Sequence, residues 1–160
     1  MLSGSGVPPL GLGNINFSFE EKTNLIYIHK YNPKAAAGGG TLVPAEYIEY
    51  FTAFDESWFR AFVNALPKHV TAITAEGDSM KPIINNGDLL LVDNSKTAPQ
   101  DGIYVLNIND SLVVKRTQLL PNYKMRIISE NPAYQPYEVD LKEDNVFIVG
   151  KVVWQGREMG

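Results

Sequence analysis

A serine that could act as a nucleophile lies in the stretch AEGDSMKPIINNGDLLLVD, residues 75–93. Ser79 follows one Gly-Asp step, precedes Met80, and is followed by a second Gly-Asp step and a wholly apolar run. The pattern indicates a strand, a sharp turn and another strand, so Ser79 is either a turn residue or a nucleophile held at the turn. A serine hydroxyl is a weak nucleophile until a neighbour takes its proton. The second interpretation therefore requires a base elsewhere in the chain.

Lys115 is the candidate for that base. The two histidines, His29 and His69, lie in no context that resembles a catalytic triad, and each is better interpreted as a structural residue. A lysine amine can take the proton if burial keeps it neutral, because an amine with a pKa near 10.4 is otherwise charged at pH 7. Lys115 follows three apolar residues in SLVVKRTQLL and, on a strand, shares a face with Val113. A lone lysine on a strand is usually exposed, so the catalytic interpretation depends on its combination with Ser79.

The turn that carries Ser79 could also supply an oxyanion site. A sharp turn at residues 78–80 would present backbone N–H groups to the negative charge that develops during attack, and we expect those of Asp78 and Ser79 to serve. The side chains of Asp78 and Asp88 are expected to stabilise turns rather than to act as acids or bases.

Short β-strands must position these residues. Residues 24–31, NLIYIHKY, alternate between apolar and polar side chains and predict a first strand. From residue 70 onward seven strands are predicted between turns: VTAITAEG, DLLLVD, GIYVLNI, SLVVKRTQLL, KMRIISE, YEVD and VFIVGKVVWQG. With a single short helix, these strands predict a compact, twisted, mostly β domain.

That helix is predicted in DESWFRAFVNAL, residues 55–66. Asp55 suits the N-cap, and Pro67 would stop the helix. The residues of its apolar face are expected in the core: Trp58, Phe59, Phe62, Val63 and Leu66. No second helix follows at the spacing of a helix-turn-helix, so we expect no DNA-reading module in this chain.

Two segments of small residues flank the first strand. Residues 1–23 predict a flexible lead-in or linker, because their first half is rich in Gly, Pro and Ser. The run NPKAAAGGGTL, residues 32–42, contains three consecutive glycines that disfavour a helix, and it predicts a hinge or loop. Residues 24–160 are expected to form one domain.

Composition narrows the classes of function. The chain of 160 residues has 14 basic and 18 acidic side chains and a net charge of -4, so no global basic field favours nucleic acid or anionic lipid. The absence of cysteine excludes disulfides and thiolate metal sites, and with two histidines a metal centre is not expected. No signal peptide and no long apolar run occur, so we expect a cytoplasmic protein without a membrane partner.

Several motifs in order resemble one protein family. GDSM-x-P-x-x-x-x-GD-x-x-x-VD is followed by VKR on a later strand, by SENPAYQPYEVD and by the closing VFIVGKVVW. This series resembles the serine-lysine self-cleaving domain of LexA-like and phage repressor proteins, and it extends over residues 26–156. The resemblance implies a LexA/signal-peptidase-like fold in which Ser79 attacks and Lys115 is the general base. It also implies cleavage between an Ala and a Gly ahead of the catalytic strand, and the junction Ala37 to Gly38 fits within a loop at residues 32–42.

The resemblance implies partners and leaves three functions open. The first, which we favour, is the C-terminal regulatory domain of a phage-type repressor. It would form a homodimer, would be stimulated to cleave itself by the RecA filament, and would contact operator DNA only through an absent helix-turn-helix module. The second is a UmuD-like mutagenesis protein, and the third is a dimerisation domain that does not cleave. Signal peptidases share the chemistry but need a membrane anchor. The closing strand, VFIVGKVVW, would pair across the two-fold axis if it is an edge strand, although a central strand is an equal alternative.

Overall fold

The computed structural model describes residues 24–32 and 48–159, which contain nine strands and two short helices. In chain order the strands and helices are β1 Leu25–Tyr31, β2 Ile48–Asp55, α1 Glu56–Phe62, a 3-10 helix Pro67–His69, β3 Val70–Thr74, β4 Leu89–Asp93, β5 Gly102–Ile108, β6 Ser111–Leu120, β7 Lys124–Ile128, β8 Tyr137–Asp140 and β9 Val146–Gly156. All eight strands expected from the sequence are present within a few residues of their predicted bounds. The mostly β fold with a short α-helix is therefore confirmed.

The nine strands form one sheet in the order β2-β1-β3-β4-β9-β5-β6-β7-β8. Neighbouring strands are antiparallel except β1 and β3, which are parallel and pair at Ala72 and Ile73 of β3. The closing strand β9 lies in the middle of the sheet, between β4 and β5, and the edge strands are β2 and β8. Of the two alternatives for the closing strand, the central one is therefore correct. Residues 146–151 of β9 pair with β5 and residues 151–156 pair with β4.

Strand β2 was not expected from the sequence. Its residues, IEYFTAFD, pair with the whole length of β1, and their burial alternates only weakly. Aromatic and β-branched residues at alternate positions were a usable signal for this strand. The nearby run of alanines and glycines, which is typical of a loop, obscured it.

The α-helix is shorter than predicted, although its start is correct. Asp55 is the N-cap, and its carboxylate accepts a hydrogen bond from the Trp58 amide at 2.9 Å. The helix ends at Phe62 because Val63 is extended, with φ -112° and ψ 107°, and packs into the core from that conformation. The predicted burial is wrong for Phe62 and Leu66, which are 63% and 58% exposed.

Three clusters of buried side chains hold the sheet, and one of them supports the predicted nucleophile. That cluster contains Met80 and Ile84, which come from the segment between β3 and β4 rather than from a strand. They pack against side chains of the central strands, among them Leu90, Val92 and Val105. Ala75, which precedes Ser79, belongs to the same cluster, so the segment is anchored in the core on both sides of its catalytic candidate.

Candidate active site

Ser79 lies in the serine loop, which we define as residues 76–87 between β3 and β4. The loop is closed at its base by two backbone hydrogen bonds, from Ala75 to Asp88 and from Gly87 to Ala75, each 2.8 Å long. Gly77 at its start has φ +81°, a conformation that costs glycine little, and its amide donates to the Asn86 side chain at 2.9 Å. The two Gly-Asp steps of the sequence therefore form the two sides of one closed loop.

Asp88 fixes the far side of the serine loop through a buried carboxylate. Its side chain is 1% exposed and accepts hydrogen bonds from the Asn85 amide, the Gln155 side chain and the Arg157 guanidinium. The guanidinium approaches both carboxylate oxygens at 2.8 Å. These partners, led by Arg157, lower the pKa of Asp88 although burial alone would raise it. The end of β9 is thus fastened to the loop that carries Ser79.

Lys115 lies on β6 and reaches the predicted nucleophile. Its Nζ is 2.6 Å from the Oγ of Ser79, to which it donates a hydrogen bond in the charged form. Burial lowers the pKa of the Lys115 amine, because a partly desolvated ammonium is less stable than one in water. The two side chains are therefore in hydrogen-bond contact, and burial shifts the lysine toward the neutral form that proton transfer from serine requires.

A cleft of about 360 Å³ opens beside these two residues. Its walls come from the end of β3, the serine loop and the first half of β6, with Val105 between them: Ile73, Thr74, Ala75, Glu76, Gly77, Ser79, Met80, Ile84, Val105, Ser111, Leu112, Val113, Val114 and Lys115. Residues 111–115 of β6 pair with β5 on one side, whereas pairing with β7 begins only at Arg116. Among the described strands, none covers the second edge of residues 111–115. The cleft therefore offers a strand edge to which an extended peptide could add.

The β7–β8 loop, residues 129–136, contacts the serine loop from the other side. The amide of Asn131 donates to the Ser79 carbonyl at 3.0 Å, and its side chain donates to the Asp78 carbonyl at 3.1 Å. The hydroxyl of Tyr134 donates to the Asp78 carboxylate at 2.6 Å. This contact raises the pKa of Tyr134, so its hydroxyl keeps its proton further into the alkaline range. Sequence reasoning assigned no role to Asn131 or Tyr134, although both lie in the quoted motif SENPAYQPYEVD.

These contacts orient the peptide groups next to the nucleophile. In a trans peptide the carbonyl and the following N–H point in opposite directions. Because Asn131 holds the Asp78 carbonyl, the N–H of Ser79 points away from the β7–β8 loop. Within residues 24–32 and 48–159, the N–H groups of Asp78 and Ser79 donate to no acceptor. The role of these two amides at an oxyanion stays a prediction.

The remaining predicted residues have the following positions. Ala37 and Gly38 lie outside the described residues, as does most of the loop at 32–42. His29 packs edge-on against Phe51, and His69 ends the 3-10 helix. In the described part of the chain, no group of three or more His, Asp or Glu side chains could hold a metal ion. No helix in that part is long and apolar enough to cross a membrane.

Comparison with known proteins establishes the family. The model of the peptidase S24-like family matches residues 27–153, and the chain belongs to this family. The 26 kDa repressor protein of Escherichia phage HK022 is 38% identical over 125 residues, which cover 75% of this chain and 53% of the phage protein. The LexA repressors of Photorhabdus laumondii subsp. laumondii and Shewanella piezotolerans are each 34% identical over 118 residues, which cover 73% of this chain and 55% and 54% of theirs. The predicted resemblance is confirmed, and the chain spans about half the length of the curated relatives it matches.

Proposed function

We propose that this chain is the regulatory domain of a phage-type repressor and that it cleaves itself between Ala37 and Gly38. Ser79 is the nucleophile and Lys115 the general base. The observation that carries the proposal is the 2.6 Å contact between the lysine Nζ and the serine Oγ at the wall of a cleft. The lowered pKa of Lys115 supports the assignment of roles, because the base must lose its proton before it can accept one.

The proposed reaction proceeds through an ester. Neutral Lys115 takes the proton of the Ser79 hydroxyl while Oγ attacks the carbonyl carbon of Ala37. The N–H groups of Asp78 and Ser79 are the proposed donors to the resulting oxyanion. When the tetrahedral intermediate collapses, the bond from Ala37 to Gly38 breaks, and the ammonium of Lys115 gives its proton to the leaving amine. Water, deprotonated by Lys115, then hydrolyses the ester between Ser79 and Ala37 and restores the serine.

The path of the chain supports attack on its own loop. Tyr31 at the end of β1 pairs with Ile73 of β3, and Ile73 is part of the cleft wall. The end of β1 therefore lies beside the cleft wall. Ala37 is the sixth residue after Tyr31, and an extended chain of six residues spans about 20 Å. Small residues on both sides of the bond would let the backbone approach Ser79 closely.

The decisive test is the mass of the products. The purified chain would be incubated at alkaline pH and, in parallel, with activated recombinase filament, beside Ser79→Ala and Lys115→Ala. We expect two fragments, residues 1–37 and 38–160, which are absent in both variants. Ser111→Ala is the matched control, because Ser111 also lies in the cleft wall but has no lysine partner, and it should cleave like the unmodified chain. If no cleavage occurs under either condition, the chain is better explained as a dimerisation domain that does not cleave itself.

The repressor assignment rests on the relatives, which are named as repressors. We propose that the intact protein forms a homodimer, that the RecA filament stimulates its cleavage, and that it binds operator DNA through a module outside this chain. Sedimentation of the Ser79→Ala chain at micromolar concentration tests the dimer without interference from cleavage. A mass of about twice 17.8 kDa is expected, and a monomer would remove this part of the proposal.

A further inference from the structure

The β7–β8 loop touches both members of the proposed catalytic pair. On one side Asn131 and Tyr134 make three hydrogen bonds to residues 78 and 79, more than 50 positions earlier in the chain. On the other side Glu130 forms an ion pair with Arg116, the residue that follows Lys115 on β6. The loop therefore bridges the segment that carries the nucleophile and the strand that carries the base.

Within this loop, Tyr134 contacts both the serine loop and Lys115. Its hydroxyl donates to the Asp78 carboxylate at 2.6 Å, and the Lys115 Nζ lies 5.7 Å from the centre of its ring. An ammonium at this distance from an aromatic face is attracted to the ring, whereas a neutral amine is not. One side chain thus holds the turn before Ser79 and also favours the charged form of Lys115.

We propose that the β7–β8 loop positions the nucleophile, with Asn131 and Tyr134 as positioning residues, and that the Tyr134 ring tunes the affinity of Lys115 for its proton. This inference rests on the proposed self-cleavage. Asn131 donates to both the Asp78 and the Ser79 carbonyls and so fixes the two peptide planes around Ser79. The Tyr134 hydroxyl holds the Asp78 side chain. Loss of either partner would let the hydroxyl leave the line of attack, to which rates are sensitive.

Among the described residues that line the cleft with Lys115, one carries a carboxylate, Glu76. The Ser79 hydroxyl faces it from the serine loop and the Tyr134 ring from the β7–β8 loop, while Tyr104 is its cross-strand neighbour on β5. The Asp78 carboxylate is held on the hydroxyl of Tyr134, and the adjacent Arg116 is paired with Glu130. The aromatic ring contacts the lysine directly, so its removal should alter the proton affinity of Lys115.

Two substitutions at Tyr134 separate the hydroxyl from the ring. Tyr134→Phe keeps the ring and removes the donor to Asp78, and we expect the maximal cleavage rate to fall about five- to tenfold with an unchanged apparent pKa. Tyr134→Leu removes both contacts, and it should also lower the apparent pKa of cleavage by about 0.5, because the ammonium loses its aromatic partner. Asn131→Ala should slow cleavage without altering that pKa. A purely structural role would not separate rate from pKa in this way.

Two quantities are measured for each variant: the rate of self-cleavage as a function of pH, and the rate at which a fluorophosphonate labels Ser79. Labelling reports the geometry of the nucleophile and does not require the bond between Ala37 and Gly38 to reach Ser79. Tyr137→Phe, on the strand that follows, is the matched control and should label and cleave like the unmodified chain. Asp78→Ala combined with Tyr134→Phe should be no slower than the slower single variant, because both remove the same hydrogen bond. If Tyr134→Phe labels as fast as Tyr137→Phe, the inference is wrong. If the unmodified chain neither labels nor cleaves, the proposed function itself is wrong.

Discussion

Replacement of Lys115 by methionine should lower the rate of self-cleavage by about 10³-fold or more. Within residues 24–32 and 48–159, the Ser79 hydroxyl then has no group within hydrogen-bond distance that could take its proton, because its 2.6 Å contact is with the Nζ that the substitution removes. In the unmodified chain the rate should rise about tenfold for each pH unit below the pKa of Lys115, since only the neutral amine is active. The rise should end at a pH below 10.5, because burial lowers that pKa.

Two further variants make this result specific. Lys115→Arg keeps a positive charge next to Ser79 but cannot lose its proton, so it should be as inactive as Lys115→Met at every pH. Lys124→Met, which replaces an exposed lysine on β7, should retain the rate and the pH profile. A rate that is flat between neutral and alkaline pH in the unmodified chain would exclude lysine as the base.

Lys115→Met should also make the folded chain more stable at neutral pH, and this result would show that its inactivity does not come from unfolding. The folded pKa of Lys115 lies below its unfolded value of about 10.5, so the unfolded chain binds more protons between these two values. The lysine therefore destabilises the fold below its folded pKa, and this cost disappears as the pH rises through that window. We expect the gain from methionine to be on the order of 1 kcal/mol at pH 7 and smaller at pH 10.

Replacement of Arg157 by methionine should reduce the free energy of unfolding at neutral pH by about 2–3 kcal/mol. The substitution keeps the aliphatic stem but leaves the buried Asp88 carboxylate without its charged partner. The lower end of the range applies because the guanidinium is 40% exposed and water can replace part of its interaction. A fall of about 5–10 °C in melting temperature is the corresponding result for a chain of this size.

An exposed ion pair provides the comparison. Arg60→Met removes the partner of Glu56 on the surface of α1, and it should change the stability by less than about 0.5 kcal/mol. The double variant Asp88→Asn, Arg157→Met should lose less than the sum of the single variants, because the uncompensated charge is gone. Equal effects of Arg157→Met and Arg60→Met would show that the Asp88 contact contributes no more than a surface pair.

Acid pH should reduce the difference between the unmodified chain and Arg157→Met. In the unmodified chain the pKa of Asp88 lies below 3.8, so its stabilising ionisation is fully present above that value and is lost as the pH falls through the folded pKa. Without the guanidinium, burial raises the pKa, and the carboxyl takes up a proton in the folded state instead. Urea unfolding of both chains at pH 7 and at pH 4 measures the difference in their free energies of unfolding at each pH.

The strands from residue 70 onward could be predicted from local sequence, because alternating apolar residues mark each strand and turn residues mark its ends. The contact of Ser79 with Lys115 could be predicted only through the family resemblance, since 36 residues and a turn of unknown geometry separate them. The end of α1 was missed because Val63 is buried from an extended backbone, and helical periodicity cannot distinguish that case from a longer helix. The position of a strand in the sheet depends on contacts with residues far away in the sequence. Local sequence therefore could not decide whether β9 is a central or an edge strand.

The contact of Tyr134 with Asp78 shows the same limit at the site. The two residues are 56 positions apart, and neither has an unusual neighbour that would indicate the pair. A tyrosine in a loop rich in proline is ordinary, and an aspartate after glycine is typical of a turn. Only the fold of the β7–β8 loop onto the serine loop gives these two residues a common function.

The place of β1 in the sheet has a consequence for the fate of a nicked molecule. A cut between Ala37 and Gly38 would leave β1 on one fragment and both of its neighbours, β2 and β3, on the other. All seven residues of β1 pair with β2, so the severed strand stays docked until those hydrogen bonds open together. Hydrolysis and separation of the fragments are then different events. The lifetime of the nicked but assembled protein, rather than the bond cleavage alone, would set how quickly the two pieces part.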